Sequence, residues 1–359
     1  MKKSLLILTA VTSIIVLSCS KNTNLNSGSS SLKQSVSTGV IAVNNAIGTI
    51  SASKGYEVLS ANSVAVKSAT VYTDSVTLPS VAGIYDFQPD LLHTFDFFIP
   101  HRMFVKTGTS NLLIVNLPQK LVIQPRYLHD LYAPDSLLKN DFTITASDYY
   151  YYFNYVNEFD YRLNAGFTLD SVNIGNLNII ATASSPANYS YTSGYTFPGG
   201  YTIDVSSIAS DTTVSVFTLS QNASALMKET VVATPPALGQ GTGPVPEFRM
   251  RERLYILDIG NVEIRRGGGM DSIQVYLDGV LQKTAGARII DSTGTNGSIF
   301  SRRDILLTFD DGTTENLSTL IDPAMTALKN LVNALQSMNF AKNIVDYIAI
   351  GIDYNIHQH

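Results

Sequence analysis

The spacing of apolar positions divides this 359-residue chain into stretches of different period. Met1-Lys2-Lys3 is charged and Ser4 to Leu17 is apolar, a run too short to cross a hydrocarbon core of about 30 Å as a helix. Lys21 to Ser31 (KNTNLNSGSSS) has no apolar periodicity, which predicts a flexible tether. Leu32, Val36, Val40, Val43, Ile47 and Ile50 then recur in steps of three and four. That stripe predicts an amphipathic helix, with Gly39 and Gly48 each weakening it by about 1 kcal/mol relative to alanine.

From Tyr56 to about Val232 the period is two. Val64-Val66, Leu113-Val115-Leu117, Leu121-Ile123, Tyr161-Leu163-Ala165-Phe167-Leu169, Tyr201-Ile203-Val205 and Val214-Val216 alternate, and turn clusters such as Lys106-Thr107-Gly108 and Phe197-Pro198-Gly199-Gly200 separate them. Many short strands between turns predict a sandwich or barrel. Thr234 to Glu247 (TPPALGQGTGPVPE) holds four prolines and three glycines, and marks residues 233–247 as a linker between a first domain at 32–232 and a second at 248–359. The second domain has strand patterns at Leu254 to Ile259, Val262 to Arg265, Ile273 to Leu277 and Ile305 to Phe309, with tight-turn signals at Asp278-Gly279 and Asp311-Gly312. Asp322-Pro323 reads as the N-cap and first position of a helix burying Met325, Leu328, Leu331, Val332, Leu335 and Met338. Ile348, Ile350, Ile352 and Tyr354 then read as one side of a last strand. The expected fold class is mainly β, α+β in the second domain: two β-sandwich-like domains, an N-terminal helix and one packed C-terminal helix. A five-residue pattern recurs at Asp74, Asp170 and Asp271, which would also suit three modules.

The apolar run ends in Val16-Leu17-Ser18-Cys19, and Cys19 is the chain's single cysteine. The basic start and apolar run have the form of an export signal. The order aliphatic, any, small, Cys resembles the lipobox of Bacteroidetes-type outer-membrane lipoproteins. That resemblance implies a signal peptide at 1–18, acylation of the Cys19 thiol, cleavage that makes Cys19 the new N-terminus, and a tether at 19–31. Ser20 rather than Asp after the cysteine implies sorting to the outer membrane. One acyl chain holds a membrane only marginally, at about 0.8 kcal/mol per buried CH₂, whereas two or three anchor it stably. The two β-rich regions and the size also resemble the two-domain architecture of fimbrial and fimbrial-anchor lipoproteins, at the level of layout and without a matching motif.

Loss of residues 1–18 takes the formal charge from −5 to −7. A mildly acidic chain with 15% charged residues lacks the basic footprint for neutralising phosphates, which argues against a nucleic-acid partner. A lone cysteine rules out an intramolecular disulfide and a Cys-x-x-Cys metal site.

Candidate chemistry is sparse, and no cofactor is implied. Asp-Ser or Asp-Thr pairs followed by an aliphatic residue or threonine resemble the acceptor motif of the O-glycosylation system of the same bacteria. The acceptors would be Ser75, Ser136, Ser171, Thr212, Ser272 and Ser292. A turn capped by Asp and leading into a strand selects the same letters, so both readings stand. Tyr149, Tyr150, Tyr151, Tyr152, Phe153 and Tyr155 place six aromatics in seven positions, and in a strand their rings would fall on both faces. Either they form a platform for stacking on glycans, or one face is core and the other meets a neighbouring sheet or partner. His93, Asp96, His101 and His129-Asp130 carry metal-ligand chemistry, but at no metal-motif spacing, so no metal site is assigned; His357 and His359 are a weak terminal pair. Ser51-Ala52-Ser53-Lys54, Ser60-Ala61-Asn62 and Lys106-Thr107-Gly108 spell the penicillin-binding signatures in order, with too little chain between them for that fold. Arg265-Arg266-Gly267-Gly268-Gly269 fits a hairpin tip better than an anion nest.

The expectation is therefore a non-enzymatic lipoprotein held at the outer membrane by acyl chains, with a binding, adhesion or assembly role and a glycan or another envelope protein as partner. The alternative is a surface carbohydrate-binding lipoprotein accompanying a glycan importer. A second alternative is an exported hydrolase whose carboxylate pair is assembled from distant strands.

Overall fold

The computed structural model describes residues 31–61, 75–88, 104–123, 139–154, 158–185, 188–234, 251–267, 273–291, 303–338 and 341–357. The fold is mainly β. Its strands are β1 (Val76–Thr77), β2 (Gly83–Phe87), β3 (Phe104–Gly108), β4 (Leu113–Leu117), β5 (Phe142–Phe153), β6 (Phe159–Leu169), β7 (Val172–Ser185), β8 (Asn188–Thr196) and β9 (Tyr201–Ala209). They continue as β10 (Thr213–Gln221), β11 (Ser224–Thr234), β12 (Arg251–Ile259), β13 (Val262–Gly267), β14 (Ile273–Leu277), β15 (Val280–Leu281), β16 (Gly286–Asp291), β17 (Arg303–Thr308) and β18 (Thr314–Asn316). The helices are α1 (Leu32–Ser51), α2 (Lys54–Ser60), α3 (Leu78–Val81), α4 (Gln119–Ile123), α5 (Leu317–Ser337) and α6 (Asp346–His357), the last preceded by a π-helical turn at Ala341–Val345.

All eighteen strands belong to one sheet. From β4 to β14 each strand pairs antiparallel with the next, and β16, β17 and β18 continue the series. The exception is β2, which lies parallel to β4. Turn chemistry drives the meander. Asp170-Ser171, Asn222-Ala223 and Asp278-Gly279 have positive φ at both residues, the backbone of two-residue hairpins whose twist matches that of the strands.

The two-domain expectation fails at its boundary. Thr234 ends β11 and Arg251 begins β12, and the two strands pair in register from Met227↔Ile259 to Thr234↔Arg251. The proline- and glycine-rich stretch, of which 235–247 lies outside the described residues, thus connects neighbours in one sheet. Ser31–His359 is a single compact unit.

Helices line one face of this sheet. Helix α5 touches β8 and β9 as well as β17 and β18. Those strand groups lie about eight inter-strand spacings apart, on the order of 40 Å in a flat sheet, whereas a helix is only about 10–12 Å across. The sheet therefore curls around its helices, and the alternate strand residues facing inward form the core with them. Inside the curl, Phe142 stacks on Phe167 (6.1 Å between centroids), Phe167 on Tyr195 (6.0 Å), and Tyr195 tilts against Phe197 (4.6 Å).

The predicted stripe of α1 is realised: Leu32, Val36, Val40, Val43, Ile47 and Ile50 are all buried. Ser31 Oγ caps the helix by accepting from Gln34 N at 3.2 Å. Three other local readings are corrected. Leu121-Ile123, expected as strand, belongs to the short helix α4. Helix α5 starts at Leu317, not at Asp322-Pro323, because Asp304 on β17 caps it from across the fold: Oδ1 accepts from Ser318 N at 3.1 Å and Oδ2 from Ser318 Oγ at 2.5 Å. The last expected strand is helix α6. Its isoleucines alternate, but Val345, Ile348, Ala349 and Ile352 also fall at helical spacing, and that set is buried.

Candidate functional site

The tyrosine run occupies the second half of β5, after a register shift between Ala146 and Asp148. Rings fall on both faces, as strand geometry requires. Tyr149 points inward and is 1% exposed, which removes it from any stacking platform. Its hydroxyl donates to Asp346 Oδ1 at 3.2 Å, and Tyr161 donates to the same oxygen at 2.9 Å. Burial first, then the Asp346 charge, pushes both phenols well above the usual tyrosine range. Tyr151, also inward, meets Phe159 and Tyr161 edge-on at 6.2 Å. With Tyr161 fully buried and Asp346 only 6% exposed, this cluster is sealed from any substrate. Its chemistry is that of a clamp holding α6 on the sheet.

Tyr150 and Tyr152 are on the opposite, outer face and are half-buried. Tyr150 lies opposite Arg162, whose guanidinium sits 5.1 Å from the ring centroid. Tyr152 lies opposite Asp160, and its hydroxyl accepts from Asn154 Nδ2 at 3.2 Å. Two rings two residues apart on one strand, flanked by a cation and a carboxylate, are what the outer surface retains of the candidate platform. Tyr155 lies outside the described residues.

A second feature is a groove of about 330 Å³ on the outer side of β11, β12 and β13, lined by Ala225 to Lys228, Asp258, Gly260 to Glu263 and Gly279. Its position follows from two local irregularities. The register of β11 shifts beside Leu226, and β12 and β13 join through the two-residue turn Gly260-Asn261. That turn sets Asp258 directly opposite Glu263, and β11 sets Lys228 opposite Asp258. Three hydrogen bonds brace the rim: Gly260 N to Leu226 O at 3.0 Å, Asp278 N to Asn261 O at 3.0 Å, and Asn261 Nδ2 to Asp278 Oδ1 at 3.0 Å. Arg265 lies 2.8 Å from Glu263 and over the ring of Tyr276, which stands opposite Glu263 on β14. Burial and the neighbouring Glu263 charge raise the Asp258 carboxyl above its ordinary value, with Lys228 and Arg265 pulling the other way. Nothing in the sequence analysis singled out this groove. The signal was present, since a two-residue turn at Gly260-Asn261 dictates the Asp258–Glu263 pairing.

The other anticipated residues are scattered. Ser75 and Ser171 are exposed, Ser171 at the β6–β7 hairpin tip, and Thr212 lies in the β9–β10 turn; Cys19, Ser136, Ser272 and Ser292 lie outside the described residues. So do His93, Asp96, His101, His129 and Asp130, and among the described residues no group of three His, Cys, Asp or Glu is placed to hold a metal ion. Lys54 pairs with Glu57 at 2.8 Å and Lys106 donates to Ala82 O at 3.0 Å, so both lysines of the penicillin-binding look-alike are engaged locally. No described helix is long and apolar enough to cross a membrane. No protein-family model, curated protein or solved structure matches this chain.

Proposed function

We propose that this chain is a non-enzymatic lipoprotein, anchored at the outer membrane by acyl chains on Cys19, whose β body has a binding, adhesion or assembly role at the cell envelope. The observation that carries the reading is Val16-Leu17-Ser18-Cys19 at the end of a short apolar run, followed by a polar tether that leads into Ser31, the cap of α1. The curled sheet supports it: its inward side packs against helices, and Tyr150, Tyr152, Lys228, Asp258 and Glu263 lie on the outer face. The test is metabolic labelling with a palmitate analogue and membrane fractionation, on the natural chain and on Cys19→Ser. Acyl label and membrane association present in the first and lost in the second are expected. A wild-type protein without acyl mass, or a Cys19→Ser protein that still fractionates with membranes, overturns the anchor.

A second reading, a surface carbohydrate-binding lipoprotein accompanying a glycan importer, is favoured by the outward rings of Tyr150 and Tyr152. Loss of glycan binding in Tyr150→Ala/Tyr152→Ala would support it.

A further inference from the structure

We infer that the groove between the β10–β11, β12–β13 and β14–β15 hairpin tips is a binding site for a neutral saccharide, held through adjacent hydroxyls by Asp258, Glu263 and Lys228. The inference rests on the binding reading of the body and is independent of the anchor at Cys19.

Asp258 and Glu263 are direct cross-strand neighbours, and like charges in that relation destabilise a sheet. Lys228 opposite Asp258 and Arg265 at 2.8 Å from Glu263 offset part of that repulsion, yet burial and the Glu263 charge still raise the Asp258 carboxyl above its ordinary value. Lys228 and Arg265 balance the two carboxylates in formal charge, which removes the net negative field that would select a metal or a polycation. The charged side chains that line the groove divide hydrogen-bonding roles: the carboxylates of Asp258 and Glu263 accept when ionised, and the Lys228 ammonium only donates. A ligand meeting both within one small groove must donate and accept at neighbouring atoms without carrying net charge. Adjacent hydroxyls on a sugar ring do this.

Size and rigidity agree. A volume of about 330 Å³ falls at the lower end of small-molecule sites, roughly 300–1,000 Å³. The rim is braced by the Gly260–Leu226 and Asn261–Asp278 hydrogen bonds, so little conformational freedom is lost on binding. Gly260 and Gly279 line the groove without a Cβ, leaving backbone within reach of a ligand. Leu226 and Ala225 supply apolar surface for the C–H face of a ring, with Tyr276 adjoining beside Glu263.

The experiment titrates the full-length protein in detergent with cellobiose, maltose, lactose and mannobiose, followed by calorimetry. Asp258→Asn, Glu263→Gln and Tyr150→Ala/Tyr152→Ala are run in parallel, with melting temperature recorded for each. At least one disaccharide is expected to bind. Asp258→Asn and Glu263→Gln should each weaken that binding at least ten-fold. Asp258→Asn should melt no lower than the natural protein, because it relieves the repulsion by Glu263; lost binding with undiminished stability is a result that a purely structural role does not produce. No binding by any of the four sugars overturns the site. Binding that disappears with Tyr150 and Tyr152 but survives both carboxamide variants overturns it too, and transfers recognition to the tyrosine face. A response to Ca²⁺ alone, with none to sugar, likewise overturns it.

Discussion

Asp346, the first residue of α6, accepts the phenolic proton of Tyr161 at 2.9 Å across 185 positions of sequence. Tyr149 donates to the same Oδ1, and the two rings meet edge-on at 6.2 Å. One carboxylate oxygen therefore ties two neighbouring strands to a helix that follows a π-helical turn. The clamp also accounts for why a segment with strand-like alternation is helical: a helix places Asp346 over the tyrosines while Val345, Ile348, Ala349 and Ile352 enter the core.

Removing the acceptor should cost more than removing either donor. Asp346→Ala leaves two buried phenols without this partner, at about 1–3 kcal/mol each, so a loss of roughly 2–6 kcal/mol is expected in urea unfolding at neutral pH. Tyr149→Phe or Tyr161→Phe alone should cost about 1.5–3 kcal/mol, the range for a hydrogen bond to a charged group. In the Asp346→Ala background the same Tyr→Phe changes should become neutral or stabilising, because phenylalanine leaves no orphaned hydroxyl. Strictly additive effects in that double-mutant cycle would show that the clamp contributes nothing.

The same burial makes the fold sensitive to alkali. Tyr149, Tyr161 and Tyr195 have folded-state values raised chiefly by desolvation, and Tyr191 is pushed up to about 12 by the same cause. A phenol raised on folding contributes stability that is fully present below its unfolded value of about 10 and is lost as pH rises through the folded value. Tyrosinate absorbance should therefore rise in two stages, exposed rings first and the buried set only with loss of the circular dichroism of the sheet. Complete titration with the sheet intact would contradict the burial.

Two glycines of α1 that are equivalent in helix propensity should respond oppositely to alanine. A Cβ on Gly39 would lie 2.8 Å from Ile259 Cγ2 and 3.2 Å from its carbonyl oxygen, whereas a Cβ on Gly48 meets nothing within 4 Å. Gly48→Ala should stabilise by up to about 1 kcal/mol. Gly39→Ala should lose about 1–3 kcal/mol through overpacking against β12, net of any helical gain. Thermal melts of the two single variants check both signs.

Much of this architecture was legible along the chain. The period of two from β5 to β10, the two-residue turns, and the six-residue stripe of α1 depend on neighbours in sequence, and local pattern fixes them. The outward or inward side of each tyrosine in β5 follows from parity alone, but which side is sealed does not. The start of α5 was set by Asp304 on β17, the helical state of α6 by its buried face and the Asp346 clamp, and the joining of two expected domains into one sheet by the β11–β12 pairing. In each case the deciding partner is distant in sequence, and its contribution of a hydrogen bond or buried face outweighs a local preference worth only about 1 kcal/mol. The groove belongs with these: the turn pairs Asp258 with Glu263 locally, while Lys228 and the braced rim exist only once three hairpins lie side by side. The proposed anchor rests on Val16 to Cys19, a pattern local in sequence, whereas the proposed groove rests on the pairing of β11, β12 and β13.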